Sequence, residues 1–134
     1  MDVNDETHST RPLDERVAIV TGAGQGVGEG IARRLAERGA TVIIAARRAK
    51  TGEPVAASIR EGGGSAECIV TDVVLAESIR DCVRTTISTH GRLDIVVHNA
   101  FNGAKPHRLE DADIERHWSA MSTTAVWASL WCAR

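Results

Sequence analysis

The segment VAIVTGAGQGVGEGIARRLAERG, Val17 to Gly39, restricts the possible folds of this chain more than any other. Val17–Val20 is an apolar run without polar alternation, the pattern of a strand buried on both faces. Five glycines follow between Gly22 and Gly30. Val27, Ile31 and Leu35 then recur at four-residue spacing, with Arg33, Arg34, Glu37 and Arg38 on other faces. That spacing predicts an amphipathic helix, which Gly39 stops. A buried strand running through a glycine loop into a helix is the opening of a βαβ unit.

The remainder repeats the alternation. The pattern predicts strands at Thr41–Ala46, Ala66–Val73 and Leu93–Ala100. Helices are predicted at Lys50–Arg60, with Gly52 and Pro54 near its start, and at Leu75–Thr89, with Ile79, Val83 and Ile87 on one face. A last helix is expected from about Asp111 to the C-terminus. Short connections between alternating strands and helices imply right-handed crossovers and a parallel sheet covered on both faces. The fold class is therefore α/β, a Rossmann-type doubly wound parallel sheet. Residues 1–14 read as a polar leader and 15–134 as one domain.

The loop glycines suit a pyrophosphate. A helix N-terminus presents unpaired N–H groups and partial positive charge to an anion. Gly22 allows the sharp turn out of the strand, Gly24 and Gly26 leave the backbone bare beside the phosphates, and Gly28 lets helix and sheet pack closely. Gln25 and Val27 complete the loop. A purely structural glycine turn is the alternative, but the strand-to-helix context favours a nucleotide. No Gly-Lys-Ser/Thr follows, which excludes a P-loop NTPase.

The end of the second strand bears on which nucleotide. A carboxylate there would bond the adenosine ribose hydroxyls. This chain has Ala45-Ala46-Arg47-Arg48. Arg47 offers a planar charged fork to a 2′-phosphate, so NADP(H) is expected over NAD(H). The alternative is that both arginines are solvated surface charges.

With these residues in hand, the chain resembles the short-chain dehydrogenase/reductase family. Thr21, Gly22, Gly26 and Gly28 match its Thr-Gly-x-x-x-Gly-x-Gly motif. Thr71-Asp72-Val73 matches a second motif, in which the Asp72 side chain and the Val73 backbone would contact adenine. Asn99 and Ala100 match the first two residues of an Asn-Ala-Gly motif, where the Asn steadies the sheet and the backbone lines the cofactor. Phe101 stands in place of that motif's glycine, and reshapes the nicotinamide side of the expected site. The resemblance implies a sheet of order 3-2-1-4 followed by further strands, and hydride transfer between the dinucleotide and an alcohol or carbonyl substrate. It also implies a Ser and a Tyr-x-x-x-Lys acid/base set beyond the last helix, and an Asn that would fall near Ala125. The chain has no tyrosine, and no Asn follows Asn102. No catalytic residue is therefore assigned.

The other features are quieter. Net charge is only −2 with both signs scattered, against a nucleic-acid surface, which needs clustered cations. No apolar run reaches the ~18 residues of a membrane span, and the polar start lacks the apolar core of a secretory signal. Cys68, Cys82 and Cys132 read as reduced thiols of a cytoplasmic protein. His98, His107 and His117 lack metal-ligand spacing, so no metal is expected. Glu110, Asp111, Asp113 and Glu115 suit a helix N-terminus. Trp118, Met121, Trp127, Leu130 and Trp131 load the last helix with apolar groups, and the resemblance implies homo-oligomerisation through it.

Three readings follow: an oxidoreductase of which these residues are the N-terminal, cofactor-binding half, a catalytically inactive truncated NADP(H)-binding module, or an interaction protein whose partner supplies the missing strands. The first is favoured, because an uncovered Ile95-Val96-Val97 edge is an aggregation hazard. The 134 residues alone are expected to be inactive, and the substrate is set by residues outside them.

Overall fold

The computed structural model describes residues 11–101, 108–111, 113–116 and 118–122. Its elements are β1 (Val17–Thr21), α1 (Gly26–Glu37), β2 (Thr41–Ala46), α2 (Ala49–Glu61), β3 (Ser65–Val70), α3 (Ala76–His90) and β4 (Ile95–Val97). The strands form one parallel sheet in the order β3-β2-β1-β4. This is the α/β arrangement read from the sequence.

Strand alternation sorts the core into two layers. Ala18, Val20, Val42, Ile44 and Ala66 point to one face, where Ala32 and Ala36 of α1 and Val55, Ala56 and Ile59 of α2 cover them. Val17, Ile19, Ile43 and Ala45 point to the other, under Ile79 and Cys82 of α3. β1 and β2 are buried on both faces, which accounts for their unbroken apolar runs.

Two helices bury a different stripe from the one the large apolar residues suggest. In α1 the buried residues are Gly28, Ala32 and Ala36, with Ile31 and Leu35 packed at the margin and Val27 75% exposed. Small side chains let the helix axis approach the sheet, so they take the inner face. In α3 the buried residues are Ile79, Cys82 and Thr86, whereas Ile87 is exposed. Thr86 satisfies its hydroxyl by donating to the Cys82 carbonyl at 2.8 Å. α2 starts at Ala49, so Pro54 lies in its second turn. It is exposed there, and the one helical bond it cannot make leaves an acceptor near solvent.

Side-chain bonds set the lengths of β3 and β4. β3 stops at Val70, so Thr71-Asp72-Val73 lies in the following loop rather than the strand. There Thr71 Oγ1 donates to the Ile69 carbonyl, and Asp72 Oδ1 accepts the Val74 N–H at 3.0 Å in an Asx turn. β4 has three residues, not eight. At its start the Asp94 carboxylate accepts the Val17 N–H at 2.9 Å, and it also accepts from Arg92 and Arg16. The Arg92 guanidinium, the Val17 N–H and Arg16 together hold this carboxyl well below the usual carboxylate range. At its end Thr21 Oγ1 accepts the N–H groups of Asn99 and Ala100 at 3.1 and 3.0 Å, diverting both from a strand ladder.

Beyond β4, Leu109–Asp111 forms a 3-10 turn, and residues 114–116 and 118–122 are helical. Asp113 Oδ1 accepts the Arg116 N–H at 3.0 Å, an N-cap bond of the kind the acidic cluster suggests. Ile114, Trp118 and Met121 are exposed. The leader residues 1–10, His107, His117, Ala125, Trp127, Leu130, Trp131 and Cys132 lie outside the described residues. None of the described helices is long and apolar enough to cross a membrane.

Candidate functional site

The carboxyl ends of the four parallel strands open into one cleft of about 330 Å³. Each strand sends a loop to it. The glycine loop after β1 brings Gly22, Gly24, Gln25, Gly26 and Val27, and the end of β2 brings Arg47 and Arg48. The loop after β3 brings Asp72, Val73 and Val74, and that after β4 brings Asn99, Ala100 and Phe101. Open α/β sheets place ligands at this edge, where the chain reverses its direction of winding. Here β1 lies between β2 and β4, so the glycine loop sits at the reversal.

Ten of the eleven sequence-predicted residues line this cleft. Gly28 does not, and its glycine serves packing beneath it. A Cβ there would lie 2.4 Å from Asn99 Nδ2 and 2.5 Å from the Gly22 carbonyl oxygen. Asn99 Nδ2 in turn donates to the Thr21 carbonyl at 3.0 Å and leans toward that of Gly22 at 3.4 Å. Gly22 turns with φ +66°, and a Cβ on it would meet the Ala100 Cα at 2.9 Å. β1, α1 and the loop after β4 therefore close on one another through glycine backbone and one amide.

Gly26 has φ +57° and nothing within 4 Å of where its Cβ would stand, so it presents bare backbone at the α1 N-terminus. Gly24 differs from expectation. The space beside it is taken by Thr51 of α2, whose backbone is 3.1 Å from its missing Cβ. That glycine fits α2 against the loop.

The charge of the cleft is uneven. Arg47 and Arg48 are exposed and make no ion pair with another described residue, and Asp72 is the cleft's one carboxylate among the described residues. Both arginines precede the N-terminus of α2, whose first turn contains Lys50 and no acid. A cation at that position opposes the helix dipole, so the arrangement suits a bound anion. Sequence reasoning missed Arg48 as a lining residue, and also Thr51 and Thr71. The α2 start at Ala49 is the signal that would have added Arg48 and Thr51. Thr21 was matched to a motif without its role as a double acceptor.

Neither of the two described cysteines competes as a reactive group. Cys68 and Cys82 are free thiols, and burial pushes both pKa values up.

The residues present fit a dinucleotide. The glycine loop forms a cradle that side chains would fill, bare N–H groups open α1, and cations flank α2. Gly22, Gly26 and the α1 N-terminus would face a pyrophosphate. Arg47 and Arg48 would face the adenosine ribose.

The short chain dehydrogenase family model matches residues 16–134. A short-chain reductase protein, NovJ, of Streptomyces niveus is 33% identical over 129 residues, covering 96% of this chain and 48% of that protein. A short chain dehydrogenase/reductase, astE, of Aspergillus oryzae is 43% identical over 108 residues, covering 79% of this chain and 41% of that protein. Among solved structures, a metagenomic short-chain oxidoreductase in complex with NADP superposes with TM-score 0.77 at 31% identity, covering 90% of this chain and 54% of that one. The chain thus spans about half the length of the relatives it matches. With its sheet order agreeing with that match, the chain belongs to the short-chain dehydrogenase/reductase family of oxidoreductases.

Proposed function

We propose that this chain binds NADP(H) in the cleft, as the cofactor-holding part of an oxidoreductase that acts on an alcohol or carbonyl substrate. The observation that carries this is the convergence of the glycine cradle, the α1 N-terminus and the Arg47–Arg48 pair on one cleft at the sheet's switch point. The position of the arginines after β2 supports one polarity for the bound molecule. The β3 and β2 loops hold the adenosine, with Asp72 and Val73 at adenine and Arg47 at the 2′-phosphate. Gly22, Gln25, Gly26 and Val27 hold the pyrophosphate, while Gly24 fits α2 against the loop and Gly28 fixes the loop beneath it. Asn99 and Ala100 line the nicotinamide side. The dinucleotide would supply or accept a hydride when bound; this chain's residues bind and orient it.

NADP(H) is favoured over NAD(H) because two guanidinium groups and the α2 N-terminus meet at the ribose position, with no carboxylate in the β2 loop. The solved relative with NADP is consistent with that choice. The 134 residues contain no tyrosine, so the phenol acid/base that the family resemblance implies is not among them. By themselves they therefore bind the dinucleotide without turning substrate over.

Isothermal titration of the chain with NADPH and NADH tests both points. NADPH is expected to bind more tightly, and Gly26→Trp to abolish binding. Equal affinity for the two would remove the 2′-phosphate argument. Unchanged binding by Gly26→Trp would remove the cradle.

A further inference from the structure

Phe101 is the chain's only phenylalanine, and it is 63% exposed in the wall of the cleft. The two residues before it are tied to β1. The preceding N–H groups of Asn99 and Ala100 donate to Thr21 Oγ1, and Ala100 packs against the turn at Gly22. Phe101 therefore lines the cleft beside the glycine loop, at its β4 end. The guanidinium groups stand at the other end, after β2. Only Val27 shares with Phe101 a large exposed apolar side chain on the β1–β4 side, among the described residues.

An exposed aromatic ring gains most from a flat partner, and more when that partner is cationic. Oxidised nicotinamide is a flat pyridinium cation, and reduced nicotinamide is a neutral dihydropyridine. This step rests on the NADP(H) reading and its polarity. We infer that Phe101 is a positioning residue for the nicotinamide ring and biases the cleft toward the oxidised dinucleotide through a cation–π contact.

The test is titration calorimetry on the full chain and its variants Phe101→Leu and Phe101→Trp, with NADP+, NADPH and 2′,5′-ADP as ligands. Phe101 is exposed, so circular dichroism should show all three proteins equally folded. Leu keeps apolar area and removes the π face. The Phe101→Leu variant should lose about five-fold in NADP+ affinity, with a smaller change for NADPH and none for 2′,5′-ADP. Phe101→Trp should retain the preference for NADP+. Equal changes for NADP+ and NADPH, or no change for either, would overturn the inference while leaving the cleft assignment intact. Failure of the unaltered chain to bind 2′,5′-ADP would overturn the cleft assignment, and the inference with it.

Discussion

Gly28 and Gly30 stand two residues apart in α1 and should respond oppositely to alanine. A Cβ on Gly28 would lie 2.4 Å from Asn99 Nδ2 and 2.5 Å from the Gly22 carbonyl oxygen. The carbonyl is backbone, so the helix or the Gly22 turn must shift, and the Asn99 side chain with it. Overpacking of this kind costs about 1–3 kcal/mol. Displacing Asn99 weakens its bond to the Thr21 carbonyl, for about 1 kcal/mol more. Alanine's better helix propensity returns about 0.5–1 kcal/mol. The net expectation for Gly28→Ala is a loss of about 2 kcal/mol, or about 7 °C in Tm for a chain of this size. At Gly30 nothing lies within 4 Å of the new Cβ, so only the propensity gain of about 0.5–1 kcal/mol remains. Urea unfolding followed by far-UV circular dichroism measures both. A Gly28→Ala protein as stable as the unaltered chain, or a Gly30→Ala protein destabilised equally, would refute the packing role given to Gly28.

Arg47→Asp should weaken NADPH binding by about ten-fold or more, the scale of one charge-assisted hydrogen bond, and improve NADH binding. Paired titrations read this directly, and an unchanged NADPH to NADH ratio would exclude Arg47. Thr21→Val removes the acceptor shared by the Asn99 and Ala100 N–H groups. It should cost about 1 kcal/mol or more, because the Ala100 N–H loses its acceptor while the Asn99 N–H keeps the Val97 carbonyl, seen as a lower urea midpoint with unchanged slope. Asp94→Asn should lower stability at neutral pH. The folded state depresses the Asp94 carboxyl, so its contribution is full above the unfolded value of about 3.9 and is lost as pH falls toward the folded one. The stability gap between Asp94→Asn and the unaltered chain should therefore close below about pH 4; a gap independent of pH would show that Asp94 does not act through its charge.

Much of this molecule can be read from its sequence because two signals agree. The buried runs of β1 and β2 and the glycine spacing after Thr21 each demand the same strand-loop-helix geometry. That fixes where the loops converge, whereas Asp72, Val73, Asn99 and Ala100 were picked out by the family resemblance. Helix faces were less legible. Val27, Ile31 and Leu35 share a period with Gly28, Ala32 and Ala36, and the pattern cannot say which stripe lies inward. Close approach to the sheet selects the small one. Strand ends were less legible again, because side chains set them. Nothing in LDIVVHNA announces that Asp94 and Thr21 take over the hydrogen bonds at the two ends of β4. The place of Thr51 against Gly24 likewise depends on a contact between α2 and the first loop.

The most direct measurement is an amide chemical-shift map of the isotopically labelled chain titrated with NADPH. Binding in the proposed pose should move resonances of residues 22–27, 45–48, 71–74 and 99–101, and leave the opposite edge of the sheet near Arg16, Gly39 and Asp94 unmoved. An absence of shifts at saturating NADPH, or shifts centred on that opposite edge, would contradict the assignment of the cleft.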